Sequence, residues 1–281
     1  VLFRSADLML TTNPFSELPI SDFIMQAYVV LMFLMVIGGT ILDTIHKKSA
    51  QYFFENSEKA QKSAKRSVGG GEKMSLAIKT VASEVLTSSE FASSRRRMSH
   101  LLTMYGFVTF VAMTAILIFS YPTAATPTPE ILSTLWHVGA AMIALGGYWF
   151  WFFIRVDVSS EGVSWYRLTR ADIFIVSLLT TSTFALLWSW SDKNMVLFAL
   201  FIVSSTALFS TVLWSKFAHM FFKPAAAYQK RVTKADGSRE NLPELADRSN
   251  PADTDRHSME LLKDAPLNMG PGIKREAPRH Y

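Results

Sequence analysis

Residues 23–45 read FIMQAYVVLMFLMVIGGTILDTI. One formal charge, Asp43, interrupts the run, and it falls near the end. Coiled as an α-helix at 1.5 Å per residue the stretch is about 35 Å long, enough to cross a hydrocarbon layer of about 30 Å. Its apolar residues go all the way round the helix instead of forming one stripe. A helix of that kind is either enclosed in a large core or faces lipid.

The rest of the chain decides between these. It has 281 residues, 49% of them hydrophobic, and a mean hydropathy of +0.20. The apolar residues fall in blocks of about 19–28, each long enough for a bilayer. The spans are read as about 23–45, 101–121, 132–154, 172–190 and 195–222. A water-soluble fold of this size cannot enclose five all-round apolar helices. The predicted class is therefore all-α: a polytopic membrane protein built on a bundle of five transmembrane helices. A short segment, 1–22, precedes the 23–222 domain, a loop at 46–99 lies inside it, and a polar tail, 223–281, follows. The first apolar block starts too late and runs too long for a cleaved signal peptide.

Lys and Arg set the expected orientation. The 46–99 loop carries Lys47, Lys48, Lys59, Lys62, Lys65, Arg66, Lys73, Lys79, Arg95, Arg96 and Arg97. The next loop, YPTAATPTPE, carries none. The third has Arg155, Arg167 and Arg170, the fourth a single Lys, and the tail opens with Lys223, Lys230 and Arg231. Rich and poor loops alternate, which places the N-terminus outside and the C-terminus in the cytoplasm. Trp136, Trp149, Trp151, Trp188, Trp190 and Trp214 stand near span ends, where an aromatic belt is expected.

Two segments read as polar. Within the loop, EKMSLAIKTVASEVLTSSEF (72–91) has the pattern of an amphipathic helix on the membrane surface. The tail from about 224 is rich in Pro, Asp, Arg, Asn and Ser and is expected either to be disordered or to fold against a partner. Its charges alternate in sign, which suits a protein surface and argues against nucleic acid.

There are no cysteines, so disulfides, thiolate-held clusters and CxxCH haem attachment are excluded. A redox metal would rest on His, Met or carboxylate. Of the six histidines, His257 and His280 lie in the tail and read as solvated. His46, His100 and His219 fall at one depth on the expected cytoplasmic side, and His137 alone lies on the outer side. Two imidazoles at matched depth on opposed helices can hold a haem iron from both faces. His100, in SRRRMSHLLTMYGF, and His219, in SKFAHMFFKP, are the candidate metal ligands. His46 is a spare ligand, a quinone contact or an interfacial group. His137 is a further cofactor-contact candidate. Gly106 could let a porphyrin approach the backbone, and Arg95, Arg96, Arg97 and Lys216 could pair with haem propionates. The plain alternative is that each imidazole is a tolerated interfacial polar group.

These two stretches, at the head of span two and the foot of span five, resemble the cytoplasmic-side haem motif of the membrane subunit of respiratory nitrate reductase and related b-type cytochromes. That resemblance implies five spans, N-terminus out, and haem b between spans two and five on His100 and His219. It also implies residence in a bacterial inner membrane and exchange with quinone. The pattern departs where two-haem members carry further histidines: here the spans read FVTFVAMTAI and LFALFIVSST, so one haem is expected. Taken whole, loop and tail included, the chain is similar to membrane proteins associated with dissimilatory adenylylsulfate reductase in sulfur-oxidising bacteria. This implies a soluble iron–sulfur flavin reductase as cytoplasmic partner.

No nucleotide loop, metalloprotease motif or nucleophile with its base is present, and the expectation is a non-catalytic subunit of an oxidoreductase complex. A haem-free anchor is the alternative. A transporter is disfavoured, because the spans hold almost no buried acid or base and no inverted repeat.

Overall fold

A computed structural model describes residues 10–89, 91, 93–158, 161–191, 194–212, 219–240, 242, 250 and 252, without the side chains of Ser49, His219 and Phe221. Among the described residues every regular element is helical. Among the described residues four helices are long and apolar enough to cross a membrane: α1, Asp22–His46; α4, Ser94–Ser120; α5, Glu130–Trp149, extended to Ile154 by a π-helical turn; and α6, Ile173–Trp190, entered through a 3-10 turn at Arg170–Asp172. Between α1 and α4 come α2, Ser49–Lys62, and α3, Gly70–Thr80, which runs on as a π turn over Val81–Leu86. Helices α7, Met195–Ser210, and α8, His219–Ala235, follow.

Local chemistry sets several of these limits. Asp22 in the first turn complements the positive end of α1. Thr169 and Asp172 form a reciprocal capping box ahead of α6. The Asn194 side chain accepts from the amides of Val196 and Leu197 to start α7. Of the expected fifth span, 195–222, residues 213–218 lie outside the described residues. Helix α7 has 16 residues, about 24 Å of helix, and closes at Thr211, whose hydroxyl donates to Ala207 O at 2.6 Å. Ser204, Ser205 and Thr206 bond back to carbonyls in the same way, a local competition that weakens a helix.

The chain forms two compact units, residues 1–50 with 86–223, and 51–85 with 224–281. In the first, α4 and α5 pack most extensively. A Cβ on Gly106 would lie 2.8 Å from Gly139 O, and one on Gly146 would lie 2.8 Å from Ser99 O. Ser99 Oγ donates to Gly146 O at 2.8 Å. Small residues at such crossings let backbones approach, the usual means of helix association in lipid. Gly106 therefore faces α5, and the expectation that it admits a porphyrin is corrected. The core is aromatic: Phe15, Phe110, Trp136, Trp188, Phe198 and Phe201 are all buried. Trp136 donates Nε1–H to Thr114 Oγ1 at 2.9 Å, and Trp188 stacks on Phe201 at 5.8 Å. Trp136 and Trp188 are thus core residues, and Trp151 is also buried; a belt position is corrected for all three. The flank of α1 exposes Phe23, Ile24, Leu31, Leu34, Ile37, Ile41 and Ile45, a surface that only lipid or protein satisfies.

In the second unit the 46–99 loop meets the start of the tail. Arg66 Nε donates to Ala235 O at 2.6 Å while its fork holds Glu72. The amides of Lys65 and Arg66 donate to Asp236 O. Arg231 binds Ser83 Oγ at 2.6 Å and Glu84 at 2.8 Å, and Gln229 donates to Phe53 O. The loop and the start of the tail fold on each other. Of the helix expected over 72–91, α3 and its π turn supply the part up to Leu86, and residues 87–89 are not helical.

Candidate functional site

Helices α1 and α4 meet only lightly, and the gap between them, closed on a third side by α7, is a cavity of about 290 Å³. Met25, Tyr28, Val29, Met32, Phe33 and Val36 line it from α1. Their i, i+3, i+4 spacing is one helix face, about 17 Å long. Phe107, Phe110, Val111, Thr114 and Ile118 line it from α4, and Phe201, Ser205 and Phe209 from α7. Phe15 stands at one end and Met220 also contributes. Phe15 is held there by an Asx turn: its amide donates to Asn13 Oδ1 at 2.9 Å, and Asn13 Nδ2 donates to Tyr121 O at 2.9 Å.

Three polar groups touch the cavity, and each is committed within the protein. Tyr28 OH pairs with Thr206 Oγ1 at 3.0 Å and donates to Ile202 O at 3.2 Å. The Thr114 hydroxyl donates to Phe110 O and accepts from Trp136. Ser205 donates to Phe201 O. An occupant meets only hydrocarbon and aromatic surface, so the cavity suits an apolar chain and offers nothing to a polar head group. Its volume is at the lower end of ligand pockets.

No protein-family model, curated protein or solved structure matches the chain. Its own residues carry the functional reading.

His100 lies nearly two turns inside α4, seven residues before the lining residue Phe107 and about 10 Å along the axis from it. Its Nδ1 is 3.0 Å from Ser88 Oγ, and its ring packs on Phe91 at 4.9 Å. Around it, Arg97 Nε donates to Thr87 O at 2.7 Å and Tyr105 OH to Leu86 O at 2.7 Å. Arg96 pairs with Glu161 at 3.1 Å and lies over Phe91, as does Lys223. The SRRRMSH stretch therefore clasps segment 86–91 against the head of α4. This role for Arg97, Ser88 and Phe91 was not legible in the sequence.

The other sequence candidates are dispersed. His46 is exposed at the end of α1. His137 is buried on α5, with Nδ1 2.8 Å from Ser133 O and Nε2 3.1 Å from Ser189 Oγ. Since a carbonyl only accepts, Nδ1 carries the proton; both ring nitrogens are engaged by the protein. His219 opens α8, next to the cavity residue Met220. Lys216, His257 and His280 lie outside the described residues. Among the described residues no cluster of three or more His, Cys, Asp or Glu could hold a bare metal ion. A haem needs fewer protein donors; of the two candidate ligands only His100 has a described side chain. An imidazole that binds iron through Nε2 commonly anchors Nδ1 by a hydrogen bond that sets ring orientation, and Ser88 supplies that bond to His100.

Proposed function

We propose that this chain is a membrane anchor and electron-transfer subunit that couples a soluble redox enzyme to the quinone pool of a bacterial inner membrane. The observation that supports the reading is the apolar cavity between α1, α4 and α7, with His100 on α4 about 10 Å along the axis from its lining residue Phe107 and His219 next in sequence to its lining residue Met220. One b-type haem would be held by His100 and His219, and would supply a one-electron carrier in an apolar sheath. Ser88 fixes the His100 ring. The cavity takes the isoprenoid chain of a quinone, whose only requirement there is apolar surface. Five crossings follow if α7 and the residues leading into α8 form the last one, with the N-terminus outside.

The test is the reduced-minus-oxidised spectrum of protein purified from haem-replete cells. A low-spin b signature that is lost in His100→Ala and in His219→Ala, and kept in His257→Ala, is expected. A wild-type preparation without a Soret band removes the haem. Reporter fusions at Gly70 and Thr126 test topology; a periplasmic signal at Gly70 reverses it. The partner, by resemblance adenylylsulfate reductase, is assigned to the tail beyond 240. Truncation belongs after Leu242, because Arg231 and Asp236 are integral to the second unit. The truncated chain should release the enzyme from washed membranes; retention would move the docking surface elsewhere.

A second reading, a haem-free anchor, is favoured by one observation. His100, Arg97 and Tyr105 all hold segment 86–91, a structural task that explains the histidine without iron.

A further inference from the structure

The connection from α5 to α6 carries a feature that neither the haem nor the cavity reading uses. Tyr148 and Phe152 stack at 6.1 Å with planes 15° apart, Phe152 meets Trp165 at 6.3 Å, and Trp165 meets Tyr166 edge-on at 5.8 Å. All four rings are exposed, Trp165 by 57% and Tyr166 by 72%. They form a continuous aromatic row from the flank of α5 onto the connection. Trp165 is the one tryptophan that falls at no apolar span end in the sequence.

The same connection carries three acids, Asp157, Glu161 and Asp172, and three arginines, and two of the arginines stand outside its described ion pairs. Asp172 is matched by Arg155 at 2.6 Å, and Glu161 by Arg96 at 3.1 Å. Arg167 and Arg170 are exposed and make no ion pair among the described residues. The backbone that presents them is fixed from inside, because buried Arg155 donates to the carbonyls of Ser164 and Arg167. The connection joins two helices long enough to cross a membrane, so covalent continuity puts it where hydrocarbon gives way to head groups. Trp and Tyr favour that layer, and a guanidinium fork matches a phosphate bidentately.

We propose that this connection is a binding site for an anionic glycerophospholipid, with an acyl chain along Tyr148, Phe152 and Trp165 and the phosphate on Arg167 and Arg170. A basic residue beside an anionic bilayer surface favours anionic lipid about fivefold, so two give about thirtyfold.

Full-length protein is placed in nanodiscs containing zwitterionic and anionic phospholipid at four to one, with bromine on the acyl chains of one class at a time. Trp165 emission is taken as the difference from Trp165→Phe. Quenching by the brominated anionic lipid well above its mole fraction is expected, falling to the mole fraction in Arg167→Gln/Arg170→Gln and restored only in part in Arg167→Lys/Arg170→Lys, which keeps the charge and loses the fork. The core tryptophan signal, unchanged across the variants, reports intact folding. Equal quenching by both classes in the wild type overturns the proposal, as does a preference that survives the double glutamine. Absence of quenching by either class also overturns it, and would mean that protein covers this face.

Discussion

Arg155→Met should loosen the α5–α6 connection without dislodging the helices it joins. The guanidinium is 1% exposed. It donates to Ser164 O at 2.8 Å, to Arg167 O at 2.7 Å and to Asp172 Oδ2 at 2.6 Å, and lies 4.2 Å from the Trp151 ring centroid. Hydrogen bonds from a charged donor are worth about 1.5–3 kcal/mol each, and a desolvated cation–π contact about 2 kcal/mol. These do not add, because the same group regains its hydration when it is freed. Breaking a buried pair from one side typically costs about 3–5 kcal/mol. Asp172 keeps the amide and hydroxyl of Thr169 at 2.8 Å, so it is not orphaned, and the loss should fall near the bottom of that range, about 3 kcal/mol. Unfolding in mild detergent measures it, and tryptic cleavage at Arg167 and Arg170 should become faster. In a double-mutant cycle with Asp172→Asn, coupling of about 1–2 kcal/mol is expected. A Met variant within about 0.5 kcal/mol of wild type, with unchanged cleavage, would show that the connection does not depend on this group.

Three further expectations concern other parts of the chain. Gly106→Ala places a methyl 2.8 Å from Gly139 O and Ile143 N; overpacking of this kind costs about 1–3 kcal/mol, read as a lower melting temperature in detergent, and no change would mean that α4 and α5 separate freely. Phe15→Ala removes a buried ring that touches Trp136 at 5.6 Å and Trp188 at 5.5 Å and lines the cavity, so a loss of about 3–5 kcal/mol is expected, with Phe15→Leu intermediate. In the second unit, hydrogen bonds from Arg66 hold the Glu72 carboxyl below its ordinary 4.5. A depressed carboxyl stabilises the fold above its ordinary pKa, and that contribution is lost as pH falls through the folded value. Acid unfolding of this unit, followed by circular dichroism below about pH 4.5, should therefore contain a salt-sensitive component that is missing in Glu72→Gln; the pair lies at the surface, so the component is small.

Four apolar spans were legible because an all-round hydrophobic run of that length, in a chain too short to enclose it, faces lipid. Their faces were harder to read. Trp136 and Trp188 stand near span ends, where position alone allows either belt or core. On α5 the buried residues Ser133, Trp136, His137, Ala140, Ile143 and Gly147 recur at helical spacing, and this small-residue stripe was the available sign that Trp136 faces inward. The cavity had no sequence signal at all, since it exists only because α1 lies loosely against α4. The second unit was hidden for a different reason: its decisive bonds join residues 147–176 positions apart. No local pattern announces that Arg66 will bind the carbonyl of Ala235. Asn13 and Phe15, by contrast, form a local Asx turn that a closer reading of the short leading segment could have proposed.

His100 shows how the structural and cofactor readings bear on one residue. A histidine where water meets lipid must satisfy two ring nitrogens, and the Ser88 hydroxyl answers one of them. Ser88 itself is buried and holds a left-handed backbone, φ 46°, a conformation that a serine adopts only when its surroundings enforce it. Leu86 and Thr87 are tied by their carbonyls to Tyr105 and Arg97, which supplies that enforcement. Ser88→Ala separates the two roles. If His100 binds iron, loss of the bond to Nδ1 alters ring basicity and orientation, and the haem midpoint potential should shift while the low-spin band survives. If the bond only fastens the segment, Ser88→Ala and His100→Ala should both speed proteolysis between 86 and 93, to a similar extent. Non-additivity in the double variant would then locate the whole effect in the single bond between them.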